Sequence, residues 1–141
     1  MEDKTIPDRS ISASSTWGSS YPARKARLNG AGMWAADSGD ANAWIEVDLG
    51  ESTEVNGVVT QGKDAWYVTN YKVAYQEQPS SERVHVAGES GNAKIFIGNS
   101  NGNTPVTNMF NERVDAVTVR IEPTGWQRGV ALRLELLGCR R

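Results

Sequence analysis

The segment STWGSSYPARKARLNGAGMW combines aromatic and basic side chains with Ser, Gly and Asn. It follows neither a helical nor a strand period and is predicted to be loop. Aromatic rings in such a loop either pack inward or form a contact surface, for which Trp17 and Tyr21 are candidates. Arg24 belongs to a positive cluster that is either a solvated face or a site for phosphate or carboxylate. In the same cluster, Arg27 is predicted to form a structural ion pair with a strand carboxylate such as Asp48.

Two of the five tryptophans, Trp17 and Trp66, lie in polar loops. For a single loop tryptophan, local packing and ligand binding are equal alternatives, but two in loops that converge favour binding. Trp44 opens a strand and is predicted to be core or near-core. Trp34 and Trp126 lie close to Gly and are predicted to cap the ends of the fold.

Catalytic chemistry has no support in the sequence. The only histidine, His85, lies in the alternating stretch RVHVAG and is predicted to face solvent on a strand. No nucleophile elbow, dinucleotide fingerprint or Walker pattern occurs. One His and one Cys cannot supply the N and S ligands of a zinc site. The chain is therefore predicted not to be an enzyme, with no catalytic residue and no resident metal.

The stretch ADSGDANAW places Asp37 and Asp40 in a Gly- and Asn-rich loop. Carboxylate and amide oxygens are the ligands that calcium prefers, but the twelve-residue calcium loop pattern is missing. Asp in a turn usually accepts a hydrogen bond from its own backbone, and this interpretation is favoured. No cofactor is predicted, and calcium stays an open alternative.

The elements that must position these residues are short strands with a period of two. WIEVDL places Ile45, Val47 and Leu49 on one face, and AVTVRIE places Val117 on the inward face. ALRLELLG places Arg133 on the outward face. Helical patterns are almost absent, and the first ~43 residues are mostly loop. Several short antiparallel strands predict an all-β sandwich in jelly-roll or Greek-key form.

Composition places the chain among soluble globular proteins. It has 141 residues, 38% hydrophobic and 23% charged, with a net charge of -2. The acidic balance argues against nucleic-acid binding, and no apolar run reaches the ~20 residues of a membrane span. No signal peptide is recognised, although this does not fix the compartment.

Seven blocks follow one another along the chain: IPDRSISASS, ARLNG, WIEVDLGESTEVNGVVTQG, YVTNYKVAY, IFIGNSNGNTPVTNMF, VRIEPTGW and ALRLELLGC. In this order they resemble discoidin domains, also called the type C domains of coagulation factors five and eight, over residues 2–139. The resemblance implies one domain over residues 1–141, a jelly-roll β-sandwich of about eight antiparallel strands with loop spikes at one end. It also implies a non-catalytic module that binds phospholipid head groups, galactose-like glycans, collagen or peptide C-termini.

The resemblance assigns positions to the candidate residues. Trp17 matches the exposed tryptophan on the first spike of lipid-binding relatives, and Tyr21 matches a pocket aromatic of peptide-binding relatives. WAADSGDAN, with Asp37 and Asp40, is the second ligand loop. The tip of the third spike holds Lys63, Asp64, Ala65 and Trp66.

The sequence departs from the family pattern at positions that decide which ligand class is expected first. Thr16 stands beside Trp17, and the third spike has no Leu pair, which weakens membrane insertion. We therefore expect an extracellular or cell-surface domain of a larger secreted protein, with a cell-surface glycan as its ligand. Anionic phospholipid, bound with Trp17 and Arg24, is the alternative, and a peptide C-terminus or collagen is a third. The family also implies a disulfide from Cys139, whose partner would precede Met1.

Overall fold

The computed structural model describes residues 6–140, with side chains described for residues 6–138. Two short 3-10 helices, Asp8–Ser10 and Ala23–Lys25, lie in the loop-rich first third. The strands are β1 (Ile11–Ala13), β2 (Trp34–Ala35), β3 (Ile45–Gln61), β4 (Tyr67–Gln76), β5 (Val84–His85), β6 (Phe96–Ile97), β7 (Val106–Gln127) and β8 (Ala131–Arg140). The predicted all-β jelly-roll class with about eight strands is confirmed.

The eight strands form a continuous antiparallel sheet with the order β2-β8-β3-β7-β4-β5. β1 adds to β3, and β6 adds to β4. The long strand β3 pairs with different neighbours along its length, first with β1 and later with β8. The loop before β2 and the loop after β3 meet beside the hairpin between β7 and β8.

A bulge near the start of β3 changes the strand alternation. The Asp48 carboxylate accepts a hydrogen bond from the N–H of Gly50 at 2.9 Å, and Gly50 has a left-handed φ of +79°. The ladder with β7 is interrupted between Asp48 and Thr53. Residues 49–52 therefore lie opposite Val117, which is only half-buried, and Ala116 takes the fully buried position. The prediction that Val117 faces the core is wrong because this bulge shifts the register.

The core confirms the alternation predicted for WIEVDL, since Ile45, Val47 and Leu49 are all buried. Trp34 is also fully buried and packs in the main hydrophobic cluster, so the prediction that it caps an end of the fold is wrong. Its indole N–H still finds an acceptor, the carbonyl oxygen of Ser15, at 2.9 Å. Burial of a tryptophan is tolerated here because that polar atom is satisfied.

Arg133 is buried, whereas alternation predicts that it faces solvent. Its guanidinium donates hydrogen bonds to the carbonyl oxygens of Gly62 at 2.7 and 3.0 Å, Gly30 at 2.7 Å and Gly102 at 3.2 Å. Burial lowers the pKa of Arg133, an effect that the Asp64 carboxylate opposes. Three loops cover the start of β8 on the face that alternation assigns to solvent. The prediction for Arg133 is wrong for this reason.

Tyr71 is expected to make the fold sensitive to alkali. Its ring is fully buried and stacks on Phe96 at 5.4 Å, and its hydroxyl accepts a hydrogen bond from Asn108 at 3.0 Å. Burial raises the pKa of Tyr71 from 10.0 to about 12. The unfolded chain ionises near pH 10 and the folded chain does not. Stability that is intact below pH 10 is therefore lost, by about 2 to 3 kcal/mol, as the pH rises to about 12.

Urea unfolding between about pH 8 and about pH 11.5 measures this loss. Tyr71→Phe, which cannot ionise, should show a markedly flatter dependence of unfolding free energy on pH over that range. Equal slopes for the two proteins would contradict the assignment.

Among residues 6–140, no helix reaches the length and apolar character needed to cross a bilayer.

The backbone of Cys139 lies opposite Glu54 on β3. The predicted disulfide lies outside the described side chains.

Candidate functional site

The loop that carries Trp17 is anchored to β2. The N–H of Trp17 donates to the carbonyl oxygen of Ala35 at 2.8 Å, and the N–H of Ala35 donates to the carbonyl oxygen of Tyr21 at 3.3 Å. Together with the bond from the Trp34 indole to Ser15, these contacts fix a segment that has no secondary structure of its own. The loop can therefore hold large rings in defined positions.

The aromatic side chains of two loops meet in one stack. The Trp17 ring lies 5.5 Å from that of Tyr21 at an interplanar angle of 11°, and 5.1 Å from that of Trp66 at 25°. Tyr21 and Trp66 are half-buried against a small cluster of Met33, Ala35 and Ala131, and Trp17 is 44% exposed. The structure thus brings together the two loop tryptophans that the sequence singled out. Trp17 remains the most accessible of the three rings.

The third loop turns tightly between Lys63 and Trp66. These two residues exchange backbone hydrogen bonds of 2.9 and 3.0 Å, and Asp64 takes a left-handed φ of 56° within the turn. The Trp66 indole lies against Gly129, where a Cβ atom would fall within 3 Å of two ring carbons. Lys63 is half-buried and Asp64 is exposed, and neither lines the groove that Trp17 and Trp66 form.

The two aspartates of the second loop organise turns. Asp37 accepts a hydrogen bond from the N–H of Gly39 at 3.0 Å. Asp40 accepts from the hydroxyls of Ser14 and Ser15, both at 2.7 Å, and from the N–H of Asn42 at 3.2 Å. The two serine hydroxyls hold the pKa of Asp40 below its usual value. These contacts match the turn interpretation, and no group of three potential metal ligands occurs among the described residues.

The rings and aspartates line a groove of about 200 Å³ at this end of the molecule. We call it the aromatic groove. Its predicted members are Trp17, Asp37, Asp40 and Trp66. Three indole rings, counting Trp126, face a space that also holds two carboxylates and one guanidinium. The N–H groups of these indoles donate no hydrogen bond to any other residue of the described chain.

Sequence reasoning missed Trp126, Arg128 and Ser38 as members of the aromatic groove. Trp126 is 42% exposed at the end of β7. Arg128 follows in the hairpin turn with a left-handed φ of 65°, a conformation that L side chains rarely adopt. The signal that could have found them is GWQRG, a Gly-bounded turn between two strands that contains an aromatic and a basic residue.

Arg24 is not part of the aromatic groove. It lines a separate concavity of about 410 Å³, together with Lys25 and the stretch of residues 30–32. Arg27 is buried there and donates to Asp8 and to the carbonyl oxygen of Ile6, both at 2.7 Å. Its structural role was predicted, but Asp48 as its partner is wrong, because the 3-10 helix before β1 supplies the carboxylate.

The remaining candidates lie on the sheet surface. His85 faces solvent on β5, as predicted, and pairs with Glu122 at 2.6 Å. Trp44 is half-buried, and the Arg120 guanidinium lies 3.8 Å from the centre of its ring. A cation over an indole face stabilises both side chains, so Trp44 has a local structural partner.

Comparison with known proteins gives a consistent picture. The family model described as F5/8 type C domain matches residues 10–136. Lactadherin from Bos taurus is 36% identical over 152 residues, which cover 99% of this chain and 36% of lactadherin. The chain thus spans about a third of the length of the four lactadherins that match 99% of it.

Solved structures share the fold at lower identity. Discoidin II from Dictyostelium discoideum has a TM-score of 0.79 and 23% identity, over 89% of this chain and 52% of that chain. The family 32 CBM from C. perfringens NanJ, solved in complex with galactose, has a TM-score of 0.64 and 22% identity. That match covers 93% of this chain and 96% of the bacterial module.

Proposed function

This chain belongs to the F5/8 type C domain family, and from that premise we propose that it binds a carbohydrate in the aromatic groove without transforming it. The observation that supports this most directly is the composition of the groove. The indole of Trp126 and the exposed part of Trp17 offer apolar surface for the C–H groups of a sugar, and the carboxylates of Asp37 and Asp40 accept hydrogen bonds from its hydroxyls. Arg128 adds a donor.

Asp37 offers a ligand more free acceptor capacity than Asp40 does. Asp40 accepts hydrogen bonds from two serine hydroxyls and a backbone N–H, which satisfies much of its acceptor capacity. Asp37 accepts one hydrogen bond, from the N–H of Gly39. Sugar hydroxyls can donate to the remaining lone pairs of both carboxylates.

We expect Trp17→Ala to weaken galactose binding about tenfold, because one stacked ring contributes roughly 1 to 1.5 kcal/mol. Isothermal titration of the domain with galactose, extended by a glycan array, measures this. Trp17→Phe keeps an aromatic face and should retain most of the affinity. Glycan binding that survives Trp17→Ala unchanged would contradict the placement, and absence of binding to any glycan would contradict the function.

Anionic phospholipid is the second candidate, and the exposed Arg24 and Lys25 beside the 410 Å³ concavity favour it. Trp17 would then enter the interface. However, Trp17 stacks on Tyr21 and Trp66 instead of projecting alone, so less apolar surface is free for insertion. Co-sedimentation with vesicles containing phosphatidylserine distinguishes the candidates, since binding through Arg24 should fall as salt rises. Galactose binding should be insensitive to salt.

The proposed ligand classes also indicate where the protein acts. A carbohydrate or a lipid head group on a cell surface would be met outside the cell, and we place the domain there as part of a secreted or cell-surface protein. A protein partner bound near Tyr21 and Asp40 would be met in the same compartment. Competition of galactose binding by a peptide with a C-terminal Arg tests that third ligand class.

A further inference from the structure

A second concavity of about 570 Å³ lies beside the aromatic groove. We call it the lateral groove. It is lined by Asn42, Trp44, Lys72, Thr124 and Trp126. These residues come from the loop before β3 and from the outer face of β4 and β7, so the lateral groove lies on the sheet rather than among the loop tips.

The two grooves share a wall. Trp126 lines both of them and is 42% exposed. The loop before β3 also passes from one to the other, since Asp40 lines the aromatic groove and Ala41 and Asn42 line the lateral groove. The two grooves therefore adjoin at Trp126 and along the loop before β3.

The lateral groove offers unused polar groups. The side chains of Asn42, Lys72 and Thr124 make no hydrogen bond to any other residue in the described part of the chain. Glu122 also lines the groove, but its carboxylate is engaged by His85 at 2.6 Å. The accessible groups are thus mainly donors and neutral amide or hydroxyl groups, which suit the hydroxyl and ring oxygens of a sugar.

Size separates the roles of the two grooves. Typical small-ligand pockets enclose roughly 300 to 1,000 Å³. The aromatic groove, at about 200 Å³, falls below that range and fits one sugar unit. The lateral groove, at about 570 Å³, falls within it and has room for further units.

We propose that the two grooves form one cleft for an oligosaccharide. The terminal sugar occupies the aromatic groove, the chain crosses the indole of Trp126, and the next units bind Asn42, Lys72 and Thr124 in the lateral groove. The inference rests on the proposed carbohydrate function and extends it to chain length. A glycan chain is the occupant because the lateral groove continues the sugar site and presents hydrogen-bonding groups along an aromatic edge.

The experiment compares monosaccharides with oligosaccharides by isothermal titration. The probes are galactose with a galactose-terminated tetrasaccharide, and N-acetylglucosamine with its β-1,4-linked tetramer. In the series that binds, we expect the tetrasaccharide to bind at least about tenfold more tightly than its monosaccharide, as two added hydrogen bonds of ordinary strength provide. Asn42→Ala combined with Lys72→Ala should reduce this advantage to about twofold and change monosaccharide affinity by less than about twofold.

Lys94→Ala is the matched control, because Lys94 lines neither groove and lies instead over the ring of Phe96. It should leave the chain-length advantage intact. A monosaccharide that binds as tightly as its tetrasaccharide overturns the cleft and leaves the carbohydrate function standing. A chain-length advantage that survives the double substitution overturns the role of the lateral groove. Failure of both series to bind overturns the carbohydrate function and the cleft together.

Discussion

Arg133→Met is expected to lower the free energy of unfolding by about 3 kcal/mol. The substitution keeps an unbranched side chain but removes a buried guanidinium that donates to three backbone carbonyls, those of Gly30, Gly62 and Gly102. Each buried carbonyl left without a donor costs roughly 1 to 3 kcal/mol, and relief of the desolvated charge offsets only part of the total. Urea or thermal unfolding monitored by tryptophan fluorescence measures the loss.

Arg83→Met is the control for Arg133. Its guanidinium donates to Glu46 at 2.8 and 3.1 Å, but its side chain is 38% exposed. Such surface pairs contribute about 0 to 1 kcal/mol, so this variant should unfold nearly as the parent does. Equal losses for the two variants would show that Arg133 acts only as one more charge and does not join the three loops.

Trp66→Ala is expected to weaken galactose binding about a hundredfold, more than any other single substitution in the aromatic groove. The ring lines the groove itself and also supports Trp17, whose ring lies 5.1 Å away. Loss of two ring contacts of roughly 1 to 1.5 kcal/mol each gives this magnitude. Isothermal titration measures the affinity, and unfolding measurements confirm that the variant stays folded.

Gly129→Ala tests whether the orientation of the Trp66 ring, and not only its presence, matters for galactose binding. The added Cβ would fall within 3 Å of two ring carbons, so the indole must shift, at a cost of about 1 to 3 kcal/mol of stability. Galactose affinity should also fall about tenfold, because the displaced ring no longer supports Trp17. An affinity equal to that of the parent would show that the orientation of Trp66 does not matter for binding.

Much of the fold follows from the sequence because period-two alternation reports burial directly. Ile45, Val47 and Leu49 are buried as their spacing predicts. Alternation fails where the partner strand is irregular. The bulge in β3, at the turn from Asp48 to Gly50, moves Val117 of β7 out of the core. The sequence of β7 itself gives no clear signal of that shift.

The site could be predicted less completely. Trp17 and Trp66 were recognisable because large rings in polar loops need a reason, and the structure places them in contact. Trp126 and Arg128 were missed because GWQRG marks a turn with an aromatic and a basic residue but does not show which loops that turn will face. Arg133 was missed because a periodic pattern describes the strand alone and not what lies over it. The binding roles of all these residues stay predictions.

The hydrogen bonds of Arg133 end on main-chain oxygens only, which has a practical consequence for redesign. The side chains of Lys63 and Ala65 take no part in that anchor, whereas the backbone at Gly62 and Gly102 does. Asp64 should be kept, because its carboxylate favours the charged form of Arg133 and its φ is left-handed. A randomised library at positions 63 and 65 can therefore be displayed on this framework while the foundation of the loop stays constant. New specificities could then be selected beside the aromatic stack without rebuilding the scaffold.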